Sequence, residues 1–287
     1  MPYDTKKYTI TVNDIQYDVD EEETDSGNDF TISLDGEPVF EGLEGHIAYE
    51  QDADSPRDWE NVGTMLVNYD HYNLGDGNND EFEVECDQCG GAGCYPDPDS
   101  DHELDCEKCN GDGYITLDPA SYYRKERGAR VVLPLFVYEH SGITMSAGAA
   151  IADRAKQGDV RSTGRFVGDD AGWDTSFVGF IFDTPEGIDK CFGDSAGIAH
   201  VAGVLDDQIE EALRSEVSIY ASYLEGDVVY FLTYDEETEY GDGCGGFIGD
   251  HEECKNQLFA SLEQAIKIRL DEYKERAEWA ARDTITI

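Results

Sequence analysis

Basic residues are scarce in this chain. Its 287 residues hold 20 Lys and Arg, only nine of them lysine, against 65 Asp and Glu, for a formal net charge of −45 and a pI near 4.1. A field of that sign repels phosphate backbones and anionic lipid, so neither direct nucleic-acid binding nor a membrane role is expected. Long apolar runs are also missing. No stretch approaches eighteen apolar residues, and Met1-Pro-Tyr-Asp4 opens without the apolar core of a signal peptide; a soluble, cytoplasmic protein in a reducing setting is expected. Ser141 does not sit in a Gly-x-Ser-x-Gly nucleophile elbow. Disorder is excluded in turn, because hydrophobic residues are 39% of the chain and seventeen tyrosines supply bulk for a core.

The acid is unevenly spread. Residues 1–60 carry 18 acids and 3 bases, 61–120 carry 15 and 1, and 181–240 carry 15 and 2, whereas 121–180 carry 7 and 8. Two explanations fit such a surface. In a halophile, hydrated carboxylates and few lysines keep protein soluble in concentrated salt, and composition alone favours this. In a DNA mimic, carboxylates stand in for phosphates and occupy the basic groove of a DNA-binding enzyme.

What the chain does contain is a doubled thiol motif. Cys86-x2-Cys89 is followed by Cys106-x2-Cys109, each pair short enough to chelate from one tight turn, as in a closed four-thiolate zinc site. One structural zinc is expected, since four thiolates leave no open coordination position. Both pairs open a longer phrase, Cys-x-x-Cys-x-Gly-x-Gly, at residues 86–93 and 106–113. Its glycines let the chain turn with positive φ and aim N–H groups at sulfur. The phrase resembles the zinc-binding repeat of DnaJ-type chaperones. With two repeats where that domain has four, and no J-domain signature, only the knuckle is carried over and no chaperone activity is expected. Cys94 is a competing candidate ligand. Cys191, Cys244 and Cys254 lack metal spacing and read as ordinary reduced cysteines.

Alternation of apolar and polar residues predicts strands at Tyr8–Val12, Phe30–Leu34 and Pro38–Phe40, with Asp35-Gly36 as a hairpin turn and Asp20–Asp25 as an acidic loop. Asp118 reads as an N-cap before Pro119, opening a short helix closed by Gly128. The bases there, Arg124, Lys125, Arg127 and Arg130, read as internal charge compensation. Val131–Tyr138 and Phe177–Phe182 are apolar runs suited to central strands. Leu205, Ile209, Leu213, Val217, Tyr220 and Leu224 recur at helical spacing, stopped by Gly226 before a strand at Val228–Tyr234, and a last helix is predicted over Leu258–Ala281. These elements predict an α+β fold with a mostly antiparallel sheet, two long helices in the C-terminal half and a small inserted zinc knuckle. Residues 1–83 and 117–287 are expected as parts of one main domain, with 84–116 as the insertion.

His140 and Ser141 directly follow a strand, and Trp173-Asp174 precede the next, so a Ser–His–Asp constellation can be assembled from them. Adjacent His and Ser side chains point apart on an extended chain. The four residues are therefore expected to form a structured or partner-contact loop, and no catalytic residue is assigned. His71 reads as a strand-to-turn position. Carboxylates in residues 73–81 lack the calcium-loop register, and no calcium is assigned.

Several longer phrases carry a resemblance. They are Pro56-Arg-Asp-Trp-Glu-Asn-Val-Gly-Thr-Met65, Tyr72-Asn-Leu-Gly-Asp76, the Leu133–Ser146 run ending His-Ser-Gly-Ile-Thr-Met-Ser, Trp173-Asp-Thr-Ser-Phe-Val-Gly-Phe-Ile-Phe182, Tyr220-Ala-Ser-Tyr-Leu-Glu-Gly-Asp227 and Gly243-Cys-Gly-Gly-Phe-Ile-Gly249. In this order they resemble a family of bacteriophage and plasmid proteins over roughly residues 55 to 250. The chain departs from that pattern in residues 147–170 and in the added knuckle. The resemblance implies a viral or mobile-element origin and no particular reaction. With the charge, it leads us to expect an acidic accessory protein, not an enzyme, that binds a host or viral protein with a basic surface. Its sharper form is a DNA-mimicking, counter-defence inhibitor of a host DNA-handling enzyme. The rival expectation is a halophile-adapted viral protein with a virion-assembly or hydrolase-like role.

Overall fold

The computed structural model describes residues 6–97, 102–148 and 174–285. The fold is α+β with mostly antiparallel sheets, and the chain divides into two compact units, residues 1–54 with 226–287, and residues 55–225. These units cut across the three segments anticipated from sequence, because the N-terminal strands pair with C-terminal ones.

The first unit opens with β1 (Lys6–Val12), β2 (Ile15–Thr24), β3 (Gly27–Leu34), the short β4 (Glu37–Pro38) and β5 (Leu43–Tyr49). Asn13-Asp14 and Asp35-Gly36 each place two successive residues at positive φ, the hairpin turn whose twist matches the flanking strands. The expected acidic loop at Asp20–Asp25 is instead strand as far as Thr24. The pleat explains the correction: Val19 and Glu21 face inward while Asp20 and Glu22 face water, so acids alternate in a strand without burying uncompensated charge. Glu21, the inward acid, accepts Tyr8 Oη–H at 2.5 Å and Asn28 Nδ2–H at 2.7 Å and faces Lys255.

The second unit holds β6 (Gly63–Val67), four three-residue strands β7 (Glu83–Glu85), β8 (Cys94–Pro96), β9 (Glu103–Asp105) and β10 (Tyr114–Thr116), and helix α1 (Pro119–Tyr122) running into a π-helical turn at Tyr123–Arg127. It continues with β11 (Val132–Glu139), β12 (Ile143–Ala147), β13 (Thr175–Asp183), α2 (Pro185–Phe192), α3 (Asp194–Ala202) and α4 (Leu205–Leu224). Asp118 caps α1 by accepting Ser121 N–H at 3.1 Å, and Gly128 ends the π turn at φ 70°. The main sheet runs β12-β11-β13-β6, antiparallel throughout. Its two central strands are buried on both faces, which is why their sequences are nearly unbroken apolar runs. Leu133, Leu135, Val137 and Ile181 share a core with Leu205, Ile209, Leu213 and Val217 of α4, and Val132, Phe180 and Phe182 share another with Phe82, Ala120 and Tyr123. Arg127 reaches Asp80 at 3.0 Å and Arg130 reaches Asp206 at 2.6 Å, so these bases compensate nearby acid.

Strands β14 (Val228–Asp235) and β15 (Tyr240–Ile248) and helix α5 (His251–Ile285) complete the first unit. Its sheet runs β1-β2-β3-β5-β14-β15, with β4 beside β3. Ile10, Val19, Phe30, Ile32, Ile47 and Phe231 on the inner face pack against Leu258, Leu262, Ala265 and Ile266 of α5. The helix starts two turns before its predicted onset, because Asp250 caps it by accepting Glu253 N–H at 3.0 Å while the polar first turns hide the apolar period. Arg269, 1% exposed, is buried under this helix. Its Nε donates to Asp235 Oδ2 at 3.0 Å, Nη2 donates to Asp235 Oδ1, and Nη1 donates to Glu41 O at 3.0 Å.

Candidate metal centre

Two short antiparallel ribbons, β7 with β10 and β8 with β9, carry the thiols. Cys86 follows β7 directly and Cys106 follows β9, so each knuckle begins where a strand ends. The two halves repeat one another. Ala92 N–H donates to Cys89 O at 3.3 Å, as Asp112 N–H does to Cys109 O at 3.1 Å. They also strap each other, since Cys86 N–H donates to Gly113 O and Cys106 N–H to Gly93 O, both at 2.8 Å. Gly93 and Gly113 then point their own N–H groups at Cys89 Sγ and Cys109 Sγ, at 3.3 and 3.2 Å. A Cβ on Gly93 would fall 2.2 Å from Gly111 O, and one on Gly113 would fall 2.4 Å from Gly91 O. Close backbone approach, as well as positive φ, therefore demands glycine at both positions. Asp87 and Lys108, inside the two Cys-x-x-Cys spans, form an ion pair across the pseudo-symmetric pair.

The four sulfurs of Cys86, Cys89, Cys106 and Cys109 all lie within 4.8 Å of one another. Cys86–Cys106 and Cys89–Cys109 are both 3.7 Å apart. Metal–sulfur bonds of about 2.3 Å in a tetrahedron give sulfur–sulfur edges of about 3.8 Å, whereas a disulfide requires about 2.05 Å. The site therefore fits a metal ion and not a bridge, and all eight cysteines are free. Cys94 is not a member: its thiol donates to Glu103 Oε2 at 3.3 Å. Burial opposes ionisation of Cys86, but the Cys89 and Gln88 N–H groups and the Cys106 thiol outweigh it and bring Cys86 down to about 7. Burial first, and the neighbouring thiols after it, push Cys106 up to about 11. Four such crowded thiols ionise together only around a cation.

The sequence-predicted loop is partly assembled. His140 Nδ1 lies 3.1 Å from Asp174 Oδ2, and Glu139 N–H donates to Asp174 O at 3.0 Å. Ser141 makes no side-chain hydrogen bond among the described residues, and Trp173 lies outside them. A histidine and a carboxylate therefore meet on an exposed hairpin end, with no nucleophile in hydrogen-bond contact among the described residues. Beside them is a group that sequence reasoning missed. Glu139 Oε2 accepts Tyr69 Oη–H and faces His71 Nδ1 at 2.9 Å. The Tyr69 and Tyr72 rings stack at 6.3 Å. Hydrogen bonds from Tyr69 and His71 hold the Glu139 carboxyl below its ordinary range, and Glu139 raises His71 in return. Burial, then Glu139, pushes Tyr69 up to about 12. The signal was proximity to the quoted phrases: Tyr69 and His71 directly precede Tyr72–Asp76, and Glu139 lies within Leu133–Ser146.

The same phrases also build a buried charge cluster. Arg57 grips Asp76 through Nε at 3.0 Å and Nη2 at 2.8 Å, reaches Glu216 of α4 through Nη1 at 3.1 Å, and donates to Gly63 O at 2.8 Å. Asp76 also accepts Met65 N–H at 2.7 Å, and Glu216 accepts Val62 N–H at 2.6 Å. Burial opposes the Arg57 charge, but Asp76 and Glu216 outweigh it and raise its pKa. Gly75 N–H donates to Tyr220 Oη at 3.1 Å, tying in a further phrase. These residues fasten the second unit and leave its guanidinium engaged on three sides.

Among the described residues, no helix is long and apolar enough to cross a membrane. No family model, curated protein or solved structure matches the chain.

Proposed function

We propose that this chain is an acidic accessory protein of a virus or mobile element, that it acts by binding a protein with a basic surface, and that one zinc ion staples its knuckle. Tetrahedral sulfur sets suit zinc or iron, and the DnaJ-like Cys-x-x-Cys-x-Gly-x-Gly phrase favours zinc. With four thiolates and no open position, the ion organises the ribbon and does no chemistry.

The observation that carries the binding role is the outer face of the seven-stranded sheet. Asp18, Asp20 and Glu22 recur at every second residue of β2, and the pairing registers place Asp29 and Glu44 on the same face, where Lys7 and His46 are the bases among the strand residues. Along a strand, such side chains stand about 6.8 Å apart, and adjacent strands are about 4.8 Å apart. The result is a planar array of carboxylates fixed by backbone pairing. A mainly acidic array held by backbone pairing meets a basic groove without first being ordered, the requirement for imitating a phosphate backbone. In its sharper form, the protein blocks a host DNA-handling enzyme by occupying its DNA groove.

The test is a salt series that reads both thermal melting and competition against labelled duplex DNA on purified DNA-handling enzymes. The Debye length falls from about 10 Å at 0.1 M to about 3 Å at 1 M salt. Mimicry predicts a fold already stable at low salt and displacement of DNA that fades as salt rises. A chain that unfolds below molar salt and never displaces DNA would leave the halophile explanation standing instead.

A further inference from the structure

The phrase at Gly243–Gly249 takes no part in the metal centre or the buried charge clusters, and reaches the first unit's core through Phe247. Most of it lies in β15, an edge strand whose one sheet neighbour among the described residues is β14 and whose residues 241–246 are all exposed. Proteins commonly guard such an edge with lysine, proline or a covering loop, and β15 contains neither lysine nor proline. On the outer face of the sheet, Gly241 and Gly243 stand opposite Tyr234 and Leu232, which are 54% and 49% exposed. A Cβ on Gly243 would fall 2.6 Å from Leu232 Cδ2, so the leucine leans across the strand toward its open edge. At the far end the register shifts beside Tyr230, where the Glu50 carboxylate covers the strand and accepts Gly246 N–H at 2.7 Å. Together they form an open trough of about 650 Å³. Asp242, opposite Thr233, is exposed on the other face of the strand.

We propose that β15 is a docking edge for an extended segment of a basic partner protein, one in which apolar or aromatic residues alternate with lysine or arginine. This rests on the protein-binding role above and gives it a location. The incoming strand would pair with the outward N–H and C=O groups of β15, displacing Asp242 Oδ1 from the Gly243 N–H that it accepts at 2.9 Å, the strand-addition mode of peptide recognition. Because side chains alternate, its apolar residues would cross the glycines onto Leu232 and Tyr234 while its basic residues fall beside Asp242. Glu50 closes the trough with a further negative charge. Charge selects this occupant over a second copy of the chain, since two edges of the same acidic protein repel.

The probe is a fluorescein-labelled heptapeptide of alternating lysine and tyrosine, compared with one in which glutamate replaces lysine. Anisotropy at low salt is read alongside amide hydrogen exchange on the full chain. The lysine peptide is expected to bind and the glutamate peptide not to bind, with exchange slowed across residues 240–248. Leu232→Thr and Asp242→Lys are each expected to weaken binding by about tenfold or more, and melting curves verify that these exposed substitutions leave the fold intact. Equal binding to both variants with unchanged exchange at 240–248 would overturn the docking edge while leaving a basic partner elsewhere on the surface. Failure of the lysine peptide and of every DNA-handling enzyme to bind would overturn the edge and the proposed function together. A dimer in sedimentation that both variants dissolve would assign the edge to a second copy and overturn the basic-segment proposal.

Discussion

The knuckle and the sheets fold by different means. In the first unit, side chains from five strands and a long helix close a continuous apolar core around Phe30, Val19 and Leu262. In the knuckle, the buried cluster is Cys86, Cys106 and Cys109, with Cys89, Tyr95 and Ile115 packed against it, and each strand is three residues long. Two-stranded ribbons of that length are marginal in water on their own. With the proposed metal bound, order in the knuckle would depend on a cation held by thiolates, whereas order in the sheets depends on apolar burial.

Removing the metal breaks this comparison most directly. Structural zinc contributes about 10–16 kcal/mol of apparent binding free energy in small knuckles, comparable to the stability of a whole domain. Chelation, or Cys106→Ala with Cys109→Ala, is expected to abolish exchange protection across residues 83–116 while the melting of the two sheets persists. Unfolding of the first unit on chelation would show that the two regions are not independently held.

A second, smaller effect tests the apolar core at its most deeply buried ion pair. Arg269→Met leaves Asp235 buried without its cation, at a cost of about 3–5 kcal/mol. Urea unfolding should show that loss, and Arg269→Met combined with Asp235→Leu should recover most of it. No recovery would mean that Asp235 matters more through the Glu237 N–H and Thr238 Oγ1–H bonds it accepts than through the arginine.

Much of this division was legible in the sequence because its causes are local. Alternation marks β1 and β3, the spacing Leu205 to Leu224 marks α4, and Cys-x-x-Cys spacing marks a metal turn whatever surrounds it. Causes distant in sequence were not legible. Nothing in the sequence pairs Arg269 with Asp235, or Arg57 with Asp76 and Glu216. Asp20–Thr24 is strand because β1 and β3 flank it, which its acidic composition does not announce. His140 meets Asp174 only once β11 and β13 pair.

Within the knuckle, glycine substitutions sharpen the comparison. Gly90 and Gly93 both have positive φ, at 61° and 75°, but a Cβ on Gly90 meets open space. Gly90→Ala is expected to cost about 1–2 kcal/mol from the left-handed conformation alone. Gly93→Ala adds a backbone clash and should weaken metal retention more, measured by competition with a chromophoric chelator. Equal effects would mean that the Gly93 to Gly111 approach relaxes freely.

The smallest expected effect lies on the exposed surface of the second unit. Glu139 favours the charged form of His71, so the His71 pKa is raised above its ordinary 6.5. Its contribution to stability is fully present below the unfolded histidine pKa and is lost as pH rises through the folded value. The depressed Glu139 carboxyl contributes above the unfolded carboxylate range and loses that contribution as pH falls through its folded value. The pair is therefore strongest between those limits. An NMR titration should place His71 above 6.5 in the parent and return it toward 6.5 in Glu139→Gln, and an unchanged His71 in that variant would dissolve the contact.

The central claim is that four thiolates hold one zinc. Zinc K-edge absorption on the purified chain, together with metal analysis, tests it without reference to activity or partner. The account predicts one zinc per chain with four sulfur neighbours at about 2.3 Å. A chain that folds its knuckle without stoichiometric zinc, or a first shell containing nitrogen or oxygen, would contradict it.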